Sequence, residues 1–225
     1  GFSGPTGVTS GPSFDQGTYD LSEIGPAGYT PSDWVCVGGT QVDADTITVG
    51  LGESATCTIT NDDISPTLTV IKTVINDNGG TVTDPNAFGL RIDGNLVSDS
   101  VANDVDAGAH VVSEDGLAGY TAGSWGGDCA ADGSITLALD QDAVCTITND
   151  DDAPSLTLVK DVINDNGGTE PATAWTLTAT GPTGFSGPTG VTSGPSFDQG
   201  TYDLSEIGPA GYTPSDWVCV GGTQV

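Results

Sequence analysis

Apolar residues recur at every second position along much of the chain, which is the pattern of β-strands with one buried face. The clearest example runs from Thr67 to Ile75, where four alternate residues share one face: Leu68, Val70, Lys72 and Val74. No stretch of comparable length repeats its apolar residues with the period of a helix. The pattern therefore predicts an all-β chain made of short strands.

The same pattern predicts the strands that follow Thr67 to Ile75. They are expected at Ala87 to Ile92, at Gly108 to Glu114 and around Trp125 to Cys129, with a final hairpin over Ser134 to Asn149. Glycine (34 residues) and proline (13 residues) are abundant enough to supply tight turns between them. So many short antiparallel strands in so short a stretch predict an Ig-like β-sandwich.

Two internal repeats divide the chain into units. Cys57 to Gly80 recurs, with few changes, as Cys145 to Gly168, and each copy has the form of a last strand, a short acidic link and a new first strand. Gly1 to Val42 recurs without any change as Gly184 to Val225. The sequence therefore predicts a partial unit at 1–65 without first strands, a complete unit at 66–153, and a partial unit at 154–225 without last strands.

The incomplete outer units have two interpretations. We expect the sequence to be a section of a longer tandem array in which short and long units alternate. The alternative is that the incomplete units of separate molecules complete each other by strand exchange.

The charge of the chain excludes one class of partner. There are 31 acidic and 3 basic residues, for a net charge of −28, so we expect no binding to nucleic acid or to anionic membrane surfaces. No stretch approaches the roughly 20 apolar residues of a membrane span, and no membrane insertion is expected within this sequence.

The cysteines fall into pairs that bracket the last strands of a unit. Cys36 is expected to bond with Cys57, and Cys129 with Cys145, while Cys219 corresponds to Cys36 and its partner is expected outside this sequence. Zinc is not expected, because there is one histidine and no CxxC motif. The pattern favours disulfides in an oxidising, extracellular setting.

Lysine occurs at only two positions, Lys72 and Lys160, and both lie on the apolar face of a first strand. The two-residue period also places a glutamate and an asparagine on apolar faces, at Glu114 and Asn149 in the complete unit. The same positions hold Glu23 and Asn61 in the first unit and Glu206 in the third. We therefore expect a lysine, a glutamate and an asparagine to meet in the core of a complete unit.

This trio has two interpretations. A neutral Lys72 amine could attack the side-chain amide of Asn149, with a protonated Glu114 polarising the carbonyl and moving protons until ammonia leaves. Alternatively, the three residues form a buried ion pair with a hydrogen-bonded asparagine, and no reaction occurs.

Acidic residues near the links between units form a candidate calcium site. Carboxylate and amide oxygens are the ligands that this hard cation prefers. The candidate ligands are Asp62, Asp63, Asp77, Asn78, Asp150, Asp151, Asp152, Asp165 and Asn166. Turn formation explains the same residues, because Asn, Asp and Gly favour tight turns.

Three segments carry a resemblance to a known family. The first-strand sequence LTVIK, the box GTYDLSEIGPAGY and the terminal TITN resemble the SpaA-like, collagen-adhesin B-type family of prealbumin-like repeats in bacterial surface proteins and pilins. In the short unit the box reads GAHVVSEDGLAGY, with His110 in place of the tyrosine and Leu117 in place of the proline.

The resemblance implies tandem prealbumin-like β-sandwiches in which the matching residues form an intramolecular isopeptide bond. The bond would join Lys72 to Asn149, with Glu114 as the proton shuttle. In the outer units, the matching residues are Asn61 with Glu23 and Lys160 with Glu206.

We accordingly predict a structural stalk or filament of an extracellular, cell-surface adhesin or pilus-like fibre. Its expected partners are neighbouring repeats or filament copies. No cofactor is required, with Ca²⁺ at the junctions as the one candidate, and no activity on an external substrate is expected. The alternatives are an adhesive module that binds a host or matrix ligand, and a filament subunit that polymerises without covalent bonds.

Overall fold

The computed structural model describes residues 1–225, and its strands fall into three successive groups. The first group comprises β1 (Gly17–Asp20), β2 (Tyr29–Pro31), β3 (Val35–Val37), β4 (Thr40–Gln41), β5 (Thr46–Val49), β6 (Thr56–Thr58) and β7 (Asn61–Asp63). The second comprises β8 (Thr67–Ile75), β9 (Leu90–Ile92), β10 (Asn95–Leu96), β11 (Ala102–Asp104), β12 (Gly108–Glu114), β13 (Tyr120–Ala122), β14 (Gly126–Gly127), β15 (Ser134–Leu137) and β16 (Asp142–Asp151). The third comprises β17 (Thr157–Leu158), β18 (Thr176–Thr180), β19 (Phe185–Gly187), β20 (Val191–Thr192) and β21 (Asp203–Ile207).

The middle repeat, built from β8 to β16, consists of two sheets that share one core. One sheet has the order β11-β8-β16-β13, with β14 also paired to β16, and the other has the order β10-β9-β12-β15. Residues of both sheets and one loop residue, Cys129, form a single buried cluster, whose other members are Leu68, Val70, Leu90, Ile92, Val112, Leu137, Ala143 and Cys145. Their alternation along the strands explains why each sheet has one buried face.

The first and last strands of the middle repeat lie side by side. β8 and β16 pair in parallel from Thr67 opposite Asp142 to Ile75 opposite Asp150, while the other strand pairs of this repeat are antiparallel. The prediction of an all-β chain is therefore confirmed, but its antiparallel pattern is broken at this pair. The arrangement brings the two ends of the repeat's sequence into one sheet.

Three details of the predicted strands are wrong. Ala87 to Ile92 begins within a 3-10 helix, Pro85–Phe88, because Asp84 caps its start and Gly89 adopts a left-handed φ of 63° at its end. The final segment is not a hairpin, since β15 pairs with β12 in one sheet while β16 pairs with β8 in the other. The strand expected around Trp125 to Cys129 is limited to β14.

The outer repeats are less regular. In the first, the strands form the sheet β1-β5-β4 and the separate pairs β2-β7 and β3-β6. In the third, they form β19-β18-β21 and the pair β17-β20, around a small core of Leu158, Trp175, Leu177 and Ala179. The helical segments of the chain are single-turn 3-10 helices, so none of them has the length and apolarity needed to cross a membrane.

Candidate functional site

The structure brings Lys72, Glu114 and Asn149 together in the core of the middle repeat. Lys72 lies on β8 and Asn149 on β16, where the parallel register places the lysine opposite Ile147, two residues before the asparagine and on the same face. Glu114, at the end of β12 in the other sheet, lies between them. Its Oε2 is 2.5 Å from Lys72 Nζ, and its Oε1 accepts a 2.7 Å hydrogen bond from Asn149 Nδ2.

All three side chains are removed from water. The side chain of Lys72 is 0% exposed and that of Glu114 is 7% exposed, and Asn149 is 0% exposed as a residue. Asn149 Oδ1 is buried without any hydrogen-bond partner. A buried oxygen in this state typically costs about 1–3 kcal/mol, so the fold maintains an amide that is not fully satisfied.

The contact between Glu114 and Asn149 has a second hydrogen-bonding form. The oxygen and nitrogen of an asparagine amide occupy similar positions and exchange by rotation of the group. In the exchanged form, a protonated Glu114 would donate its O–H to the amide oxygen across the same contact. That form satisfies the unpaired oxygen and polarises the carbonyl toward attack.

The environment of Lys72 shifts its amine toward the neutral form. Burial lowers the pKa of Lys72, although the hydrogen bond and the charge of Glu114 act in the opposite direction. The amine lies 4.4 Å from the ring centre of Phe88, a fully buried residue that ends the 3-10 helix before β9, and this contact favours the charged form and so opposes the effect of burial. The alternating pattern of the sequence does not single out Phe88. A signal for it was present, because an aromatic residue occupies the same position in both repeats: Phe88 in the middle one and Trp175 in the third. The ring centre of Trp175 lies 5.3 Å from Lys160 Nζ.

Each outer repeat holds part of the same trio. In the first repeat, Asn61 Nδ2 donates to Glu23 Oε2 at 3.2 Å, and residues 1–65 contain no lysine. In the third repeat, Lys160 Nζ lies 2.8 Å from Glu206 Oε2, with side chains 17% and 18% exposed. Residues 154–225 contain no counterpart of β16 and therefore no matching asparagine. The complete trio exists only in the middle repeat.

Both expected disulfides are present. Cys36 and Cys57 are direct cross-strand neighbours on β3 and β6, and their sulfurs are bonded. The bond between Cys129 and Cys145 lies within the core of the middle repeat and ties the loop after β14 to β16. Cys219 is exposed and unbonded.

Three of the candidate calcium ligands gather at the C-terminal end of β16. Carboxylate oxygens of Asp77, Asp150 and Asp151 lie within 4.8 Å of one another. Desolvation, followed by the charges of Asp77 and Asp151, raises the pKa of Asp150. Burial acts to raise the pKa of Asp151, but hydrogen bonds from the turn, chiefly from the Gly80 N–H, hold it below its usual value.

Asp151 has a structural role that does not require an ion. Its carboxylate accepts the backbone N–H of Asn78 at 3.0 Å and that of Gly80 at 2.5 Å, and so it caps the turn after β8. Calcium prefers about six to eight oxygen ligands, and one of these three carboxylates is already engaged. The cluster therefore provides part of a calcium site at most.

The remaining candidate ligands lie elsewhere or have other partners. Asp62 and Asp63 lie on β7 of the first repeat, opposite β2. Asp152 accepts a hydrogen bond from Thr121 at 2.6 Å, and Asn166 donates to Asp165 at 2.7 Å. The sequence placed all nine residues near junctions, but their distances depend on which strands are neighbours.

His110 has more polar contacts than a packing residue needs. Its Nδ1 is 2.7 Å from Asp93 Oδ2, and its Nε2 is 2.7 Å from the Asp106 carbonyl. The hydrogen bond with Asp93, followed by that with Asp106, raises the pKa of His110. In the outer repeats, Tyr19 and Tyr202 occupy this position, and each donates its hydroxyl to the carbonyl four residues earlier.

The comparisons agree with this three-part organisation. A family model described as a prealbumin-like fold domain, of the SpaA type, matches residues 1–59, 63–147 and 151–225. No curated protein and no solved structure shows a significant match to the chain. The three matched ranges correspond to the three repeats.

Proposed function

Since the chain belongs to the SpaA-type family of prealbumin-like fold domains, we propose that it is a stalk or filament segment of a bacterial surface protein. We further propose that an isopeptide bond between Lys72 Nζ and Asn149 Cγ cross-links its middle repeat. The observation that carries this proposal is the buried trio, in which Glu114 contacts both the amine and the amide.

The reaction needs no reagent beyond these side chains. The neutral amine of Lys72 attacks Asn149 Cγ, a new N–C bond forms, and the bond from Cγ to Nδ2 breaks. Glu114 takes a proton from the attacking nitrogen and delivers one to Nδ2, so that ammonia leaves and the carboxyl is regenerated. Nothing is oxidised or reduced. Because the trio is buried, it acts on its own chain and has no access to an external substrate.

The position of the bond suits a mechanical role. Tension along the chain would enter the middle repeat at Pro66, just before β8, and leave at Asp152, just after β16. A covalent link between Lys72 and Asn149 would carry that tension directly from one strand to the other. The residues between these two positions would then bear no load, and the repeat would not extend.

Other features support an extracellular location. Two disulfides require an oxidising environment to persist. The net charge of −28 keeps a long array soluble and disfavours binding to anionic surfaces. The partners in this proposal are the neighbouring repeats themselves.

Intact mass after reduction of the disulfides tests the bond. The whole chain should be lighter than the sum of its residues by one ammonia and no more, because only the middle repeat has the complete trio. Lys72→Ala, Asn149→Ala and Glu114→Gln should each restore the full mass. Lys160→Ala is the matched control and should keep the deficit of one ammonia. A wild-type chain at full mass would refute the proposal.

A further inference from the structure

Two contacts between repeats stand outside the cross-linking site. The first joins the first repeat to the middle one: Leu139, in the loop before β16, packs on Gly28, whose φ is 86°. A Cβ at Gly28 would lie only 2.6 Å from the Leu139 Cβ, so only glycine permits this approach. Beside it, the Ile64 carbonyl accepts the Asp140 N–H at 2.9 Å, and the Ile64 N–H donates to Gly28. We call this the glycine contact.

The second joins the middle repeat to the third. The turn at Asn78 and Gly79 meets the segment from Pro195 to Gln199 of the next repeat. The Gln199 N–H donates to the Asn78 carbonyl at 2.9 Å, and the Gln199 side-chain amide donates to the Gly79 carbonyl. The side chain of Asn78 donates to the Pro195 carbonyl at 3.2 Å. We call this the turn contact.

Both contacts use the same end of the preceding repeat. In the middle repeat, Tyr120 follows Gly119, the counterpart of Gly28, and its hydroxyl donates to Asn76 at the start of the turn. The glycine and the turn are therefore neighbours at one end of that repeat.

They also use the same end of the following repeat. The loop after Leu139 is bonded to the first residue of β8, through the Thr67 N–H and the Gln141 carbonyl. In the middle repeat, the counterpart of Gln199 is Ala107. Two residues before it, the Val105 N–H donates to the Pro66 carbonyl at 3.0 Å, which places this segment beside the start of β8 as well. One junction between two complete repeats can therefore hold the glycine contact and the turn contact together.

The residues that form the two contacts have counterparts elsewhere in the chain that no neighbouring repeat covers. Leu51 is the counterpart of Leu139 and is 83% exposed, whereas Leu139 is partly buried. Gly119 and Gly211 are the counterparts of Gly28, with φ values of 82° and 94°, and nothing lies near their Cβ positions. Gly167 matches Gly79 and is likewise open, with a φ of 88°. The same conformations persist without a neighbour, so these surfaces are preformed.

We propose that consecutive repeats dock rigidly through this two-part joint, and that Leu51 is a docking surface for the glycine of a Gly-Tyr turn in another repeat. The occupant is specific because a Cβ on the glycine would collide with the leucine. This joint is separate from the proposed cross-link and does not depend on it. The joint fixes the angle between two repeats, whereas the cross-link ties two strands within one repeat.

The joint also differs between the two kinds of junction. Gln199 aligns with Ala107 in the middle repeat, and alanine has no side-chain amide to donate to a turn carbonyl. A short repeat followed by a long one therefore gains a hydrogen bond that the opposite order lacks. Stiffness should alternate along an array with the same two-repeat period as the sequence.

Amide hydrogen exchange by NMR tests the turn contact inside the wild-type chain. Residues 1–42 and 184–225 are identical in sequence, so Gln16 is an exact internal control for Gln199. Gln16 is exposed and its N–H has no backbone partner. The backbone N–H of Gln199 should exchange at least about tenfold more slowly than that of Gln16, because it is hydrogen-bonded across the junction. Equal rates would overturn the turn contact.

A matched pair of variants tests the glycine contact. Leu139→Ala should lower the melting temperature measurably, whereas Leu51→Ala should leave it unchanged, because only Leu139 is covered by a neighbouring repeat. Equal effects would overturn the glycine contact. Neither readout depends on the Lys72–Asn149 bond, whose presence is read separately from the mass, so failure of the joint and failure of the cross-link are distinct results.

Discussion

The middle and third repeats begin with almost the same sequence but form different first strands. Thr67 to Ile75 makes the nine-residue strand β8, while the corresponding segment makes only the two-residue strand β17. The difference lies in the neighbour, since β8 pairs along its length with β16 and residues 154–225 contain no such strand. Strand formation here depends on pairing more than on local propensity.

The same comparison explains the burial of the lysine. The side chain of Lys72 is 0% exposed and that of Lys160 is 17% exposed, although both contact a glutamate and an aromatic ring. The first repeat gives the complementary case, where Asn61 and Glu23 meet without a lysine and Asn61 is exposed. A dry site suited to the reaction therefore needs both strands in place.

Removal of the buried lysine should have the largest effect. Lys72→Ala would abolish the cross-link and leave the buried Glu114 without one of its hydrogen-bond partners, which typically costs about 1–3 kcal/mol in addition to the loss of the covalent bond. Lys160→Ala should cost much less, because that pair is partly exposed. Urea denaturation of the two variants measures the difference. Equal losses of stability would contradict the contrast between the two repeats.

The two disulfides should also separate the repeats. Each closes a short loop, and such a bond typically contributes about 3 kcal/mol. The bond between Cys129 and Cys145 is buried, whereas the cysteines of the Cys36–Cys57 bond are partly exposed. Alkylation should label the unbonded Cys219 without reductant, and we expect graded reductant to expose Cys36 and Cys57 next. Simultaneous labelling of all four would show that burial in the middle repeat gives no protection.

The histidine of the middle repeat predicts a pH dependence that the outer repeats lack. The folded-state pKa of His110 is raised above about 6.5, the pKa of an unperturbed histidine. Its contribution to the free energy of unfolding is therefore complete below about pH 6.5 and is lost as pH rises through the folded-state pKa. His110→Tyr restores the residue of the outer repeats and should remove this dependence. The contribution is expected to be on the order of 1 kcal/mol, measured as melting temperature against pH. A variant with the same alkaline loss as the wild type would exclude His110 as its source.

Calcium should have the smallest effect. Desolvation, together with repulsion from Asp77 and Asp151, raises the pKa of Asp150, and a bound cation would relieve that repulsion. We predict a small rise in melting temperature with added calcium, which Asp150→Asn should abolish. A melting temperature indifferent to both calcium and chelator would remove the calcium prediction.

The sequence predicted the members of the trio because a two-residue period fixes which side chains share a face. The pattern did not reveal the partner of β15, which pairs with β12 and not with β16, and so the hairpin expected over Ser134 to Asn149 was wrong. Phe88 was missed because its contact with Lys72 depends on a 3-10 helix formed by local capping at Asp84. Of the nine candidate calcium ligands, three acids converge, because the sequence alone does not separate acids that meet from those that form local turns.

The most direct measurement of the central claim is mass spectrometry of the reduced chain after trypsin digestion. With the bond in place, trypsin should not cleave after Lys72 and should release a branched peptide that joins the Lys72 and Asn149 segments, lighter than the two together by one ammonia. Lys160 should be cleaved normally in the same digest. Cleavage after Lys72, together with separate linear peptides that carry an intact Asn149, would contradict it.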